Sequence, residues 1–419
     1  MVNRIPSPED NDMRLPSFVA LAALGFAATA TAAQPATLEA GRELFVRTWV
    51  AWDERAAEGG DGLGPMYNAS SCAACHNQGA LGGGGGKERN VRLVRPSSET
   101  AFFVDHRLST LSQRPLSASS GTKVERNTPA LFGAGLVDSI DDEVLHTLAS
   151  TQSGDISGRV PTTAEGKVAR FGWKGHTASL ADFVRTACAN ELGLAVEGVR
   201  QAQPLQPELM DRLVLMQAAV RQQGKKVDLV GGPKRDLSER DVQALTAFVG
   251  ALPAPAELTR QPGRSEGHAL FGKAGCDGCH VQKVAAVDGI YADLLLHDMG
   301  RGLADAGSSY QTRGNDKIVA QADSAGMVAH TLSDGSTVRV PAEPGTPVPA
   351  ADVEWRTPPL WGVRDSSPYL HDGRAATLDD AIRAHGGEAA MSSTAYTSMT
   401  LEEQQKLVGF LESLVAPGA

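Results

Sequence analysis

One long apolar stretch near the N-terminus stands apart from the short amphipathic patterns that fill the rest of the chain. It runs from Leu15 to Ala28, follows Arg14, and leads into the small residues A-T-A-T-A-A at 28–33. A run of about 14 apolar residues is shorter than the roughly 20 that a membrane-spanning helix needs. A basic residue, an apolar run and an A-x-A-like site predict a signal peptide over residues 1–33. We therefore expect a periplasmic protein without an integral membrane segment, with an N-terminal membrane anchor as the alternative.

The remaining hydrophobic pattern occurs twice, in the same order. Gly41-Arg-Glu-Leu-Phe45 and Gly267-His-Ala-Leu-Phe271 each place Leu and Phe on one face of a short predicted helix. Two later amphipathic helices each open with a predicted capping box. The matched positions in these later helices are Ser238 and Asp241 with Thr400 and Glu403, and Leu245, Phe248 and Leu252 with Leu407, Phe410 and Leu414. The segment R-N-T-P-A-L-F-G at 126–133 also recurs, as W-R-T-P-P-L-W-G at 355–362. The pattern predicts a mainly α protein of two related halves.

A proline-rich linker at 251–263 separates the halves, because its prolines end the preceding helix. The sequence thus predicts an N-terminal domain over 34–255 and a C-terminal domain over 262–419, both helical with long loops. The five glycines at 82–86 are expected to form no regular element and to let the backbone pass close to a bound group. Residues 331–350 are expected to form an excursion with a small hairpin.

Charge and cysteine content narrow the function classes. The 419 residues carry a net charge of −10, which argues against nucleic acid or an anionic membrane surface as the main partner. The five cysteines form two close pairs and a singleton, a poor basis for a disulfide framework. The singleton, Cys188, belongs to an apolar helical face and is expected to be a buried thiol.

The two cysteine pairs carry the chemistry. They lie in S-C-A-A-C-H at 71–76 and G-C-D-G-C-H at 275–280, and C-x-x-C-H is the attachment motif of c-type haem. This spacing lets two thiols reach the vinyl groups of one porphyrin while the adjoining histidine ligates the iron. A zinc site would need further nearby Cys or His ligands, and a thioredoxin-like motif would need a βαβ context. We therefore predict two cytochrome c-like domains, each with one covalent haem c. The predicted attachment residues and proximal ligands are Cys72, Cys75 and His76, and Cys276, Cys279 and His280.

The residues alone leave the remaining contacts of the haems open. His385 ends a predicted helix beside two glycines and is one candidate sixth ligand, whereas His146 and His268 are expected at the surface. Arg126 and Arg356, each beside a Thr-Pro pair, are candidates for binding haem propionates, with surface exposure as the alternative. Trp173 and Trp361 are expected in the core, with an electron relay between haems as the alternative.

Several segments together resemble the bacterial di-haem oxidoreductase family of peroxidases, which is similar to dihaem cytochrome c peroxidases and MauG-type enzymes. The resemblance runs from about residue 40 to the C-terminus and is carried by D-G-L-G-P-M-Y-N-A-S-S-C-A-A-C-H (61–76), R-N-T-P-A-L-F-G-A-G-L-V-D (126–138), F-G-W-K (171–174), L-L-L-H-D-M-G (294–300), W-R-T-P-P-L-W-G (355–362) and Y-L-H-D-G-R-A-A-T-L (369–378). It implies that His385 is the distal ligand of the second haem, with Met299 as the runner-up. It also implies that His297 lies near the propionates of that haem.

Around the first haem the sequence departs from the family pattern. Peroxidases carry a histidine where this chain has neither His nor Met, near Arg92. The first haem is then either five-coordinate, with an open face, or capped by His106. Asp138 is the carboxylate nearest to the place of the family's acid/base residue, and a solvated role beside Asp141 and Asp142 is its alternative.

The resemblance implies a periplasmic dihaem c-type oxidoreductase with peroxidase-like activity. An N-terminal catalytic haem would meet peroxide or a similar oxidant, and a C-terminal electron-transfer haem would receive electrons from a small redox donor protein of the cytochrome c or cupredoxin type. Two alternatives remain: a non-enzymatic dihaem electron-transfer cytochrome, and MauG-type oxidation of a partner protein. Whether Ca²⁺ bridges the domains, as in related peroxidases, is left open.

Overall fold

The structure is a computed structural model. It describes residues 35–50, 53–57, 60, 62–63, 66–95, 103–104, 107–108, 112–115, 122–152, 154–163, 165–199, 235–255, 257–305, 327–331, 337–341 and 350–417. Within these ranges no helix combines the length and the apolar character needed to cross a membrane.

Helices dominate the regular structure, so the mainly α fold class is confirmed. The described residues form α1 to α10, which span Pro35–Val46, Ala134–Asp138, Asp142–Thr151, Leu180–Glu191, Glu239–Gly250, Arg264–Lys273, Ala350–Val353, Leu378–Ala384, Ala390–Thr397 and Leu401–Glu412. They also form short strands β1 to β12, which span Met66–Tyr67, Val91–Arg95, Phe103–Val104, Arg107–Leu108, Ser112–Pro115, Thr122–Arg126, Lys283–Val284, Val287–Asp288, Leu296–Asp298, Met327–Thr331, Thr337–Pro341 and Glu354–Arg356.

Among the described residues, the strands pair antiparallel in small sheets. Two three-stranded sheets have the orders β1-β4-β5 and β3-β2-β6, and three two-stranded sheets pair β7 with β8, β9 with β12 and β10 with β11. In the second three-stranded sheet, β2 pairs with β6 in a register that sets Val91 opposite Arg126. The sequence predicted loops in this region, because strands about thirty residues apart leave no hairpin signal between them. The expected small hairpin is found as β10 and β11, and it begins a few residues before the predicted 331–350.

The first and last helices of each half cross at a glycine. A Cβ added to Gly41 in α1 would lie 2.0 Å from the carbonyl oxygen of Ala244 in α5. A Cβ added to Gly267 in α6 would lie 2.1 Å from the carbonyl oxygen of Lys406 in α10. Only a residue without a side chain lets the helix backbones approach this closely. The repeat in the sequence is therefore also a repeat in the packing.

The later helix of each crossing pair begins as the sequence predicts. Ser238 and Thr400 are N-caps, and each forms a capping box with the acidic residue three positions later. Each N-cap hydroxyl accepts a hydrogen bond from the N3 amide, and the N3 carboxylate accepts one from the N-cap amide. The predicted capping boxes are confirmed.

The halves share their larger hydrophobic core. Buried residues of the N-terminal half pack there with Ile290, Leu294 and Leu295 and with Trp361. The ring of Trp361 fills the space beside Gly133, whose φ of 68° favours glycine. A second cluster, which includes Phe271 and Phe410, lies within the C-terminal half. Trp361 is a core residue, as expected, and residues 34–419 form one compact unit.

Three further predictions from the sequence concern single residues. Cys188 in α4 is 3% exposed, which confirms a buried thiol. His146 is exposed, as expected. His268 is only partly exposed, because its ring packs 4.8 Å from Phe410 and 6.0 Å from Tyr291, so the expectation that it faces solvent holds only in part. The apolar half of an imidazole completes an aromatic cluster there.

Candidate haem sites

Both C-x-x-C-H motifs fold into the same tight turn. Cys72–Ala74 and Cys276–Gly278 are single turns of 3₁₀-helix. The amide of His76 donates to the carbonyl of Cys72, and the amide of His280 donates to that of Cys276, at 2.9 Å in each case. Residues three and four apart share a face in such a turn. Each motif thus presents two thiols and one imidazole to the same side.

In both motifs the histidine places its Nδ1 beside a backbone carbonyl oxygen, and this contact fixes the tautomer of the ring. Nδ1 of His76 lies 3.1 Å from the carbonyl oxygen of Pro129, and Nδ1 of His280 lies 2.9 Å from that of Tyr291. The imidazole of His76 also hydrogen-bonds the backbone of Gly83. An imidazole that donates its Nδ1 proton to a carbonyl carries its lone pair on Nε2, which is the form that ligates a metal. Burial lowers the pKa of each imidazole to about 4, so both are neutral at pH 7.

Matching aromatic residues surround the two histidines. The ring centroid of Phe45 lies 6.4 Å from that of His76, and the centroid of Phe271 lies 6.3 Å from that of His280. In each half a second phenylalanine, from the later helix, packs on the first with ring centroids 5.3 Å apart: Phe248 on Phe45, and Phe410 on Phe271. The two halves therefore have matching contacts from the helix crossing to the predicted proximal histidine.

The cysteines of the motifs are free thiols and are partly buried. Burial raises the pKa of Cys72 to about 12, and burial with the nearby Asp277 does the same for Cys276. None of these four thiols forms a disulfide bond, so both pairs are available to bind a group.

Glycines pack against the first motif. The amide of Gln78 donates to the carbonyl of Gly84, and the amide of Leu131 donates to that of Gly82. A Cβ on Gly85 would lie 2.7 Å from the carbonyl oxygen of Cys75. The run at 82–86 thus passes directly behind the motif, where side chains do not fit. Its expected approach to the haem itself stays a prediction.

A buried polar cluster adjoins the second motif, with His297 at its centre. Nε2 of His297 lies 2.9 Å from Asp293 Oδ2, and Nδ1 lies 2.7 Å from Glu388 Oε2. Nδ1 is also 3.7 Å from Cys279 Sγ. Burial alone would lower the pKa of His297, but the hydrogen bonds to Asp293 and Cys279 raise it to about 11. His297 is therefore a buried imidazolium between two carboxylates; its predicted contact with a propionate stays a prediction.

His385 ends α8 close to the second motif. Its Nδ1 lies 2.7 Å from the carbonyl oxygen of Ala381, which again leaves Nε2 for a ligand. Burial lowers the pKa of His385, and a charge on its ring would lower the pKa of His280. The two rings thus belong to one neighbourhood. Met299, the alternative sixth ligand, is close to the loop after His385. A Cβ added to Gly386 would lie 3.0 Å from the carbonyl oxygen of Met299.

The two arginines of the repeat have different partners. Arg126 is 5% exposed and donates to both carboxylate oxygens of Asp305 at 2.8 Å. Asp305 also lies 3.0 Å from Nε2 of His371, whose ring stacks on Trp355 with centroids 3.6 Å apart. In this structure Arg126 therefore binds a protein carboxylate, and its propionate contact stays a prediction.

Arg356 bonds carbonyl groups. Its Nε donates to Gly172 at 2.9 Å, its Nη1 donates to Thr357 at 3.2 Å, and it forms no ion pair with another described residue. Burial lowers its pKa to about 10. A partly buried cation whose described hydrogen bonds go to neutral carbonyl groups is a suitable partner for an anion such as a carboxylate. Together with the two thiol–imidazole turns, Arg356 shows that the residues present fit haem.

For three other candidate site residues, the structure shows no contact that tests the predicted role. Asp138 is exposed and accepts a hydrogen bond from the amide of Leu180, the first residue of α4, at 2.9 Å. Its catalytic role stays a prediction. His106 lies outside the described residues. Trp173 donates through Nε1 to the carbonyl of Asn127, and its relay role is likewise untested.

Sequence reasoning missed the acidic partners of these histidines. Asp293, Glu388 and Asp305 were not singled out, although each pairs with a buried histidine. One signal was present: Asp293 and His297 are the charged ends of D-L-L-L-H, an otherwise apolar run. Buried charges are rarely left unpaired, so such ends predict a partner. The link to Glu388 has no local signal.

No curated protein matches the chain. Among solved structures, a diheme peroxidase, BthA, of Burkholderia thailandensis is 16% identical, with 91% of this chain and 86% of that chain covered and a TM-score of 0.41. A MauG-like protein associated with microbial copper homeostasis is 18% identical, with 91% and 88% covered and a TM-score of 0.39. A hydrazine synthase of Kuenenia stuttgartiensis is 17% identical, with 91% and 88% covered and a TM-score of 0.39.

A family model gives the more specific match. The family described as "Di-haem oxidoreductase, putative peroxidase" matches residues 326–414. This stretch begins after the second C-x-x-C-H motif and contains Arg356, His371, His385 and Glu388. The resemblance to the di-haem oxidoreductase family that the sequence motifs indicate is therefore confirmed, over residues 326–414 of this chain.

Proposed function

We propose that this protein is a periplasmic dihaem c-type oxidoreductase with peroxidase-like activity. The observation that carries the proposal is the pair of equivalent turns. In each, two thiols and a neutral imidazole whose Nδ1 bonds a backbone carbonyl share one face, and the same helix crossing and phenylalanines support them. Each turn would belong to one cytochrome c-like domain, over 34–255 and 262–419.

At the first site, Cys72 and Cys75 would form thioethers and His76 would be the proximal ligand. The Pro129 carbonyl fixes the tautomer and orientation of His76 through Nδ1. This increases the basicity of Nε2, as such outer contacts do in metal sites. A haem bound here would supply the chemistry of oxidant reduction. We assign the reaction with peroxide to this site.

At the second site, Cys276 and Cys279 would attach the haem and His280 would be its proximal ligand. His385 would be its sixth ligand, since the Ala381 carbonyl leaves Nε2 of His385 available. Two imidazole ligands lower a haem potential relative to His/Met ligation. Arg356 would hold a propionate of this haem. We assign electron transfer to this site.

Electrons would come from a small donor protein of the cytochrome c or cupredoxin type. Covalent haem attachment requires export, which the predicted signal peptide at 1–33 would direct. An exported redox protein would then meet its donor in the periplasm. The chain's own contribution is ligation, orientation and local electrostatics.

Turnover tests the proposal. The holoprotein, produced with its signal peptide in a host that matures c-type cytochromes, is expected to contain two haems per chain. With a reduced cytochrome c or cupredoxin present, it should oxidise the donor only when peroxide is added. Two haems without peroxide-dependent oxidation of any donor would favour the electron carrier. Oxidation of residues of a co-purified partner protein, rather than of the donor, would favour the MauG-type reaction.

A further inference from the structure

A short segment of the N-terminal half covers the second C-x-x-C-H turn. We call residues 156–159 the strap. A Cβ on Gly278, inside the turn, would lie 2.4 Å from Cδ1 of Ile156. A Cβ on Gly158 would lie 2.3 Å from Cε1 of His297. The strap therefore lies in van der Waals contact with the turn and with the buried imidazolium.

Paired backbone hydrogen bonds hold the strap in place. The amide of Arg159 donates to the carbonyl of Leu296 at 3.0 Å, and the amide of Leu296 donates back at 2.9 Å. The guanidinium of Arg159 also pairs with Glu354, Nε to Oε1, at 2.8 Å. Just before the strap, Gln152 donates to Asp293 Oδ2 at 2.8 Å. The strap is thus tied to β9 and β12 of the C-terminal half.

Glu388 is the point where the strap meets the loop after His385. Its carboxylate accepts from the Ser157 amide at 2.9 Å and from the Ser157 hydroxyl at 3.1 Å. It also accepts from the Asp298 amide at 3.3 Å and pairs with His297 at 2.7 Å. One carboxylate thereby joins the strap, the end of β9 and the buried imidazolium. Hydrogen bonds to a charged group are about twice as strong as neutral ones.

Two glycines separate His385 from Glu388. Gly387 has a φ of 55°, and a Cβ there would lie 2.1 Å from the carbonyl oxygen of Asp298. Glycines allow the close approach but leave the backbone free to adopt other conformations. The loop after His385 is therefore fixed by outside contacts, and the bonds of Glu388 are the strongest of those described.

We propose that Glu388, anchored by the strap, is a positioning residue that keeps His385 aligned as the sixth ligand of the second haem. This inference rests on the proposed ligation by His385. The N-terminal half would in this way set the coordination of the haem in the C-terminal half. Outer contacts of metal ligands typically change ligand affinity 10- to 100-fold when removed.

Low-temperature electron paramagnetic resonance of the oxidised holoprotein provides the test. In Glu388→Ala we expect the ratio of low-spin to high-spin second haem to fall roughly tenfold. Glu388→Gln keeps the shape and some hydrogen bonds, and should give a smaller fall. Ser157→Ala removes one of the four bonds and should give a smaller fall still.

Two further variants make the result unambiguous. His385→Ala reports whether His385 is a ligand at all. Glu402→Gln removes a carboxylate whose side chain is 77% exposed at the start of α10, and it should leave both haem signals unchanged.

Each outcome decides the proposal. The proposal is supported if His385→Ala converts the second haem from low-spin to high-spin and the Glu388 and Ser157 variants lose part of the low-spin signal in the expected order. If His385→Ala converts the second haem but the Glu388 variants keep the wild-type signal, the positioning role is overturned and the ligand assignment stays in place. An unchanged His385→Ala spectrum would overturn both. Equal changes of both haem signals in Glu388→Gln would show general loss of structure and would also overturn the positioning role.

Discussion

The two C-x-x-C-H turns share their backbone geometry but not their surroundings. Around both turns a backbone carbonyl bonds the motif histidine, that of Pro129 on His76 and that of Tyr291 on His280. The glycines at 82–86 adjoin the first turn, whereas a cluster of charged side chains, Asp293, His297 and Glu388, adjoins the second. Duplicated helices thus carry two unlike sites.

The difference teaches where a duplicated protein diverges. Helix crossings and proximal histidines depend on close packing, which tolerates little change. Loops around them can vary, and the second site contains a polar cluster that joins its own loops.

The largest expected effect separates the two sites directly. Cys72→Ser with Cys75→Ser should remove one haem per chain, and Cys276→Ser with Cys279→Ser should remove the other. The haem that remains should be low-spin in the first variant and high-spin in the second, because each keeps a different sixth position. Haem content and the absorption spectrum measure this. Cys188→Ala, at a buried position outside the motifs, should keep both haems; loss of haem there would contradict the assignment.

The next largest effect is expected on folding stability, when an ion pair between the two halves is broken. Arg126→Ala leaves Asp305 buried without its bidentate partner and should lower the free energy of unfolding by about 3 kcal/mol. Arg159→Ala breaks a pair whose arginine side chain is 52% exposed, and should cost at most about 1 kcal/mol. Denaturant unfolding of the two variants gives the comparison. Equal losses would show that the Arg126 pair is no more important than a surface pair.

An alanine at the crossing glycine should lower the free energy of unfolding by a similar amount in both halves. Gly41→Ala and Gly267→Ala each push a Cβ to about 2 Å from a carbonyl oxygen and should cost about 1–3 kcal/mol. Gly409→Ala, in a helix with open space at the same atom, should instead stabilise by about 1 kcal/mol. Thermal unfolding measures all three. Tolerance of alanine at only one crossing would show that the halves are not packed alike.

The charged cluster should give the second site a pH dependence. The folded-state pKa of His297, about 11, lies above its usual 6.5, with burial opposing the rise and the hydrogen bond to Asp293 leading it. Its stabilising contribution is therefore complete below about pH 6.5 and is lost as pH rises towards 11. Between pH 7 and 10, the Tm of the wild type should fall by several degrees more than that of His297→Gln. Parallel curves would contradict the imidazolium.

Short-range patterns in the sequence predicted much of this structure. Capping boxes, apolar spacing and the C-x-x-C-H turns are set by neighbours within four residues, and Ser238, Thr400 and Cys188 were assigned correctly. The sheets that include β2 and β6 were missed, because their pairing joins segments about thirty residues apart.

The candidate sites were predictable only in part, for the same reason. The proximal histidines follow from the motif itself. The pairing of His297 with Glu388 joins positions about ninety residues apart, and the strap at 156–159 approaches from the other half of the chain. The environment of His268 was missed because Tyr291 and Phe410 reach it from distant elements.

We propose that the two equivalent turns hold two haems of unlike coordination. The decisive measurement is electron paramagnetic resonance of the fully oxidised holoprotein, recorded before and after one equivalent of peroxide. We expect one high-spin signal that peroxide removes, from the site of His76, and one low-spin signal from the site of His280. Two low-spin signals that peroxide leaves unchanged would contradict it.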